Sequence, residues 1–197
     1  MAADHGKIQA MVFYYKLLEK SLDYEDIEEG RKYIKMAADL GDCEALMLYG
    51  QTLDLLNILE DDKTEVAQYY KKAGDLGDED GMNYYAKMLD DGDEITINKE
   101  EAARYFKMAA DLGVQSAMHN YALKLERGEG IPIDNEKATL YFKMSADEGF
   151  VDDMNIYAMK LCLGIGVQKN SKQCLQYAKK AIEKDNFDLK DLFFEIS

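Results

Sequence analysis

The chain has 197 residues, 47% of them hydrophobic, with 24 basic against 39 acidic side chains and a formal net charge of −15. That excess disfavours nucleic acid and anionic membranes, because phosphate binding rests on clustered Lys and Arg, and favours a basic or mixed-charge protein or peptide partner; a solvated, soluble surface also accounts for it. No apolar run of 18 residues is present to span a membrane, the N-terminal MAADHGKIQAM lacks a basic segment followed by an apolar core, and three scattered cysteines predict reduced thiols and a cytoplasmic location.

One period orders everything else. Gly6, Gly41, Gly77, Gly113 and Gly149, with Asp185 in the sixth slot, are spaced 35, 36, 36, 36 and 36 residues apart. A fixed period in this range predicts a stacked array of helical units, each burying its faces on its neighbours. The expectation is therefore one all-α array over 1–197, with hairpins at 7–41, 42–77, 78–113, 114–149 and 150–185 and a capping helix at 186–197. Ten of the 14 tyrosines fall on two slots, Tyr14, Tyr49, Tyr85, Tyr121 and Tyr157 on one and Tyr33, Tyr69, Tyr105, Tyr141 and Tyr177 on the other. Most of the aromatic content is therefore architecture.

In chain order, Met1 to Gly6 (MAADHG) matches the end of a unit, as in Met108 to Gly113 (MAADLG), and predicts a start part-way through a second helix, as in a piece of a longer array. After each glycine comes helix A. Its apolar face is Ala117, Met118, Tyr121, Ala122 and Leu125 in the fourth unit, at offsets of three and four. A leucine ends that face each time: Leu18, Leu53, Leu89, Leu125 and Leu161. The turn is clearest as Gly128-Glu129-Gly130-Ile131 and Gly164-Ile165-Gly166-Val167; the first two units lack it, and helix A of the second is expected to run on. Helix B is expected to start at the N-caps Asp26, Asp62, Asn98, Asp134 and Asn170. It then carries its tyrosine and, four residues on, Ala37, Ala73, Ala109, Ser145 or Ala181, small enough to let helices close up. Phe187 to Ile196 (FDLKDLFFEI) has the composition of one more first helix, covering the end of the stack.

With Ala117, Tyr121, Leu125, Gly128, Gly130, Ile131, Asp134, Ala138, Tyr141, Phe142, Lys143 and Ala146 in view, the units resemble Sel1-like repeats, relatives of tetratricopeptide repeats. The resemblance covers nearly the whole chain, and a period of 36 with turn glycines favours it over tetratricopeptide repeats at 34. It implies a right-handed superhelix of α-hairpins and non-catalytic work as an adaptor, with helix A lining a concave face. Some secreted members pair cysteines in every repeat. This chain holds Ala38 and Leu46, then Gly74 and Met82, at those places, so that stapled subclass is not expected.

Chemistry is sparse. His119 shares its slot with Val12, Met47, Asn83 and Asn155, and so variable a slot predicts a surface position without a catalytic or metal role. Cys174 occupies a small-residue slot and predicts core packing, with no disulfide to Cys162 expected. Asp90 to Glu94 and Glu60 to Asp62 lack the alternating ligands of a calcium loop and predict solvated turns. Lys35, Lys71, Lys107, Lys143 and Lys179 each stand four residues before an acid, which predicts local pairing on an exposed face. No convergent nucleophile, base and orienting group is found, so neither a cofactor nor an enzyme is expected.

Binding is expected on two helix A slots opposite the core stripe: Phe13, Leu48, Tyr84, Asn120 and Ile156, and Lys16, Gln51, Lys87, Leu123 and Met159. Large apolar groups there are costly unless used; contact between successive A helices is the competing account. The reading is a scaffold whose concave groove takes a peptide or partner helix, with Asn120, Lys87 and Lys16 as polar clamps. The alternative is the regulatory repeat region of a larger enzyme or signalling protein whose catalytic domain lies elsewhere.

Overall fold

A computed structural model describes residues 2–21, 23–56, 62–92 and 95–184. Among these are ten helices and no strand: α1 (Ala2–Leu18), α2 (Tyr24–Asp39), α3 (Cys43–Leu56), α4 (Asp62–Asp75), α5 (Glu79–Asp91), α6 (Lys99–Asp111), α7 (Gln115–Arg127), α8 (Asn135–Asp147), α9 (Val151–Leu163) and α10 (Ser171–Lys184). The fold is an all-α helical repeat. The chain divides into two compact units, Met1–Asn98 and Lys99–Ser197. Within the first, α1 to α5 each pack on the next helix along the chain, and within the second, α6 to α10 do the same. The expected capping helix at 186–197 lies outside the described residues, as do the centre of the 60–62 turn and Asp93 and Glu94.

The repeated residues make the core. Tyr49 and Tyr69 meet edge to face at 4.9 Å, Tyr121 and Tyr141 at 4.8 Å, and Tyr157 and Tyr177 at 4.7 Å. Such crossed rings place a positive ring edge on a negative face. Tyr14 and Tyr33 form the same pair at 5.1 Å, although Tyr14 is exposed. Ala37, Ala73, Ala109, Ser145 and Ala181 are all buried, as their size requires. Between α4 and α5 the backbones almost touch. A Cβ on Gly81 would lie 2.9 Å from the amide nitrogen of Gly74 and 3.0 Å from the Cβ of Ala73.

The turns behave as their glycines predict. Gly128 and Gly164 cap α7 and α9 in the left-handed region, with φ of 69° and 78°. The second glycine of each turn has a different duty. A Cβ on Gly130 would come within 2.1 Å of the Lys99 carbonyl oxygen at the start of α6, and one on Gly166 within 2.0 Å of the Asn135 carbonyl oxygen at the start of α8. These positions seat one hairpin's turn on the previous hairpin's second helix, and only hydrogen fits.

Four expectations need correction. Gly6 does not close a unit but sits inside α1, which runs unbroken from Ala2 to Leu18; a glycine weakens a helix interior without ending it when helix formers flank it. Asp26 is not an N-cap. α2 starts earlier, with Asp23 accepting from the Glu25 amide at 2.9 Å, while Asp26 accepts from the Ser21 hydroxyl at 2.7 Å. Asp134 and Asn170 do cap, accepting from the amides of Lys137 and Gln173 at 2.9 and 3.1 Å. Two cysteines are not free thiols: Cys162 of α9 and Cys174 of α10 form a disulfide, with Cα atoms 5.5 Å apart. Both slots face the interior of one hairpin, which brings the sulfurs together, and the inference from reduced thiols to a cytoplasmic location loses its footing. Lys35 pairs with Glu65 of α4 at 3.1 Å rather than with Asp39.

Candidate functional site

The ten expected groove residues fall into two sets, one in each unit. In the first, Phe13 is 64% exposed on α1, Gln51 and Lys87 are exposed, and Leu48 is half-buried. Tyr84 leaves α5 to stack on Tyr70 of α4, ring centroids 5.1 Å apart and planes inclined by 24°. Lys16 forms an ion pair with Glu44 of α3. One of the intended polar clamps is thus already engaged by the next A helix, as is Tyr15, whose hydroxyl lies 2.8 Å from that of Thr52. In the second unit Asn120, Leu123 and Ile156 are half-buried and Met159 is exposed. The faces are accessible, but neighbouring A helices share them.

Among the described residues of the first unit are two open hollows that include no groove residue. One, of about 610 Å³, runs along α2 past Tyr24, Glu25, Glu28, Glu29, Lys32, Tyr33 and Met36. The other, of about 390 Å³, lies between α1 and α2 against Lys7, Ala10, Met11, Tyr14 and Tyr33.

The lysine ladder does more than pair locally. Lys107 reaches Asp111 and Lys143 reaches Asp147, each at 2.5 Å, as expected. The same two aspartates also accept from tyrosines one repeat later: Tyr141 to Asp111 at 2.7 Å and Tyr177 to Asp147 at 2.6 Å. In the first unit Tyr69 donates to Asp39 at 3.2 Å. Partial burial by itself raises the carboxyls of Asp111 and Asp147, but the lysine and tyrosine bonds outweigh it and hold both below the ordinary range. Burial, together with the aspartate, pushes the Tyr141 and Tyr177 phenols up.

Four polar side chains, His119, Asp153, Lys160 and Lys124, are wholly or largely withdrawn from solvent in the second unit. His119 is not on the surface. It is 24% exposed, with its Nδ1 2.6 Å from Oδ1 of Asp153, a fully buried carboxylate on α9. Its ring stands edge-on to Phe142 and Phe150, with centroids 5.9 and 5.6 Å away. Lys160, also buried, bonds Glu126 of α7 at 2.6 Å and lies over the Phe142 ring. Buried Lys124 turns to Glu129 in the glycine turn, at 2.5 Å. The sequence carried a signal for Asp153: it stands in the slot of Ala45, Gly81 and Ala117.

Reactive chemistry finds little support. The described residues include no group of three or more His, Cys, Asp or Glu able to hold a metal ion. Cys43, half-buried near Asp78, has its thiol pushed up by burial and by that carboxylate, the reverse of an activated nucleophile. No helix among the described residues is long and apolar enough to cross a membrane.

Comparison with known proteins agrees with the geometry. The family profile described as Sel1 repeat matches residues 10–42, 67–78, 79–114, 115–150 and 154–186. A Sel1 repeat protein from Oxalobacter formigenes superposes with a TM-score of 0.82 at 21% identity, over 98% of this chain and 80% of that one. The c5321 protein of uropathogenic Escherichia coli, a protective antigen displaying an SLR fold, gives 0.81 at 21% identity, over 92% of this chain and 39% of that one. Helicobacter pylori cysteine rich protein B gives 0.50 at 22% identity, over 66% of this chain and 94% of that one. At these identities the likeness is one of fold. Curated protein sequences give no match.

Proposed function

The chain belongs to the Sel1 repeat family, whose members generally bind protein partners, and from that premise we propose that it is a non-catalytic scaffold holding a peptide or helix of a partner against its A helices. The observation that carries this is Phe13, 64% exposed on the face opposite the hairpin core, with Tyr84 and Met159 also reaching solvent from the same two slots. Exposed aromatic and thioether groups cost solubility unless an interface uses them, and rings of this kind anchor interfaces. The net charge of −15 suits a basic or mixed-charge segment and a salt-sensitive encounter.

The test is replacement of Phe13, Tyr84 and Lys87 by alanine, singly and together. A partner captured by the wild-type chain at two salt concentrations is then presented to each variant, with helicity checked by circular dichroism. Loss of capture by folded variants supports the groove. Unchanged capture by the triple variant removes it.

A further inference from the structure

The second unit carries a buried polar pair that architecture alone does not require. In the slot that elsewhere holds Ala45, Gly81 and Ala117, α9 has Asp153. Its side chain is fully buried, one oxygen meets His119, and the other, Oδ2, has no hydrogen-bond partner. A buried carboxylate is expensive unless its charge is answered, and a whole buried polar pair can often be replaced by apolar groups of similar shape at no cost. Every other unit holds a small apolar residue in that slot, Ala10 included.

His119 answers only half of the demand. With the carboxylate as acceptor, Nδ1 donates its hydrogen, and in that tautomer Nε2 is the acceptor of the ring. The ring is held by Phe142 and Phe150, so this nitrogen is oriented rather than free to turn, and about a quarter of the side chain, 24%, reaches solvent. Leu123 lies one turn beyond His119 on α7, and Ile156 one turn beyond Asp153 on α9. Both belong to the groove set, so the pair lies one turn before two groove residues, on the same two helices. A charged pair bridging the same helices, Glu126 with Lys160, is closed on itself. The unanswered acceptor here therefore belongs to His119 and Asp153.

We propose that His119 and Asp153 form a recognition dyad for a lysine or arginine side chain of the bound segment. The cation donates to Nε2 of His119, and Asp153 behind the ring supplies the compensating charge. Docking a cation here satisfies a buried charge and a fixed acceptor together, which apolar groove contacts cannot do. This inference rests on the groove reading and adds the chemistry of one side chain to it.

The probes are two blocked Ala/Leu peptides that differ only at one central residue, arginine in one and leucine in the other. They are titrated into the isotopically labelled full chain, following the amides of Leu123 and Ile156 and the ring nitrogens of His119 by NMR. Both peptides should shift the two amides, and only the arginine peptide should shift Nε2, binding roughly tenfold tighter. Asp153→Ala, which installs the residue of Ala45 and Ala117, should abolish that preference, and Asp153→Asn should weaken it, with helicity of both variants checked by circular dichroism. Equal binding of the two peptides, or a preference that survives Asp153→Ala, overturns the dyad and leaves the groove standing. No amide shift with either peptide overturns both.

Discussion

Tyr141 donates its hydroxyl hydrogen to Asp111 across 2.7 Å, tying α8 to the end of α6, one repeat earlier. Lys107 holds the same carboxylate from within α6. Two side chains thus share one carboxylate, and the phenol is the one that joins successive repeats.

Cutting this link should cost more than its surface position suggests. Tyr141→Phe and Asp111→Ala should each destabilise by about 1–2 kcal/mol, as for hydrogen bonds to charged groups, whereas Lys107→Ala should cost only a few tenths, as for an exposed ion pair. Urea melts of the two single variants and the double variant measure the coupling, with about 1 kcal/mol expected. Strict additivity would mean that the bond is geometrically present but energetically idle.

Stability should fall at both ends of the pH scale through the same ladder. Burial opposes it, but Lys107 and Tyr141 around Asp111, and Lys143 and Tyr177 around Asp147, set both folded-state carboxyls below the ordinary value. Their contribution is therefore present above the unfolded value, about 4, and lost as pH drops through the lowered one. The Tyr141 and Tyr177 phenols are raised, so theirs is complete below about 10 and lost as pH climbs past it. Urea midpoints across pH should form a plateau between these limits. Tyr141→Phe with Tyr177→Phe should flatten the alkaline fall; an alkaline limb unchanged in that variant would show that other groups cause it.

Two glycine-to-alanine changes separate a strained backbone from a close approach. At Gly113, φ is 102° and nothing lies within 4 Å of an added Cβ, so only the left-handed penalty of about 1–2 kcal/mol applies. At Gly166 the added carbon would also meet the Asn135 carbonyl oxygen at 2.0 Å and the Thr139 hydroxyl oxygen at 2.5 Å. That hydroxyl shares its one hydrogen between the Asn135 and Ile165 carbonyls, at 2.8 and 3.0 Å, which ties the turn to α8 at this point. Gly166→Ala should cost about 3 kcal/mol or more, strain and displacement added together. Equal shifts in the urea midpoint would deny the turn its seating role.

What the period could show was whatever repeats. The tyrosine pairs, the small slots and the turn glycines are legible because each slot meets the same environment in every unit. The start of α2 was not legible, because Ser21 and Asp23 stop the chain earlier in a unit one residue shorter than the rest. The Asp111 and Tyr141 link was missed because it joins one slot to a different slot in the next unit, and a reading by columns treats each slot alone. His119 with Asp153 escaped for the same reason, although an aspartate among Ala45, Gly81 and Ala117 was visible as an odd member. Groove occupancy is harder still: Lys16 looked available, and only the fold shows Glu44 beside it.

The bond between Cys162 and Cys174 closes a covalent ring around Gly164 to Gly166, the most protease-accessible kind of segment in a helical repeat. A chain nicked inside that ring would keep its full mass on a non-reducing gel and separate into fragments only after thiol treatment. The last described hairpin thus carries a tether that survives loss of its own loop.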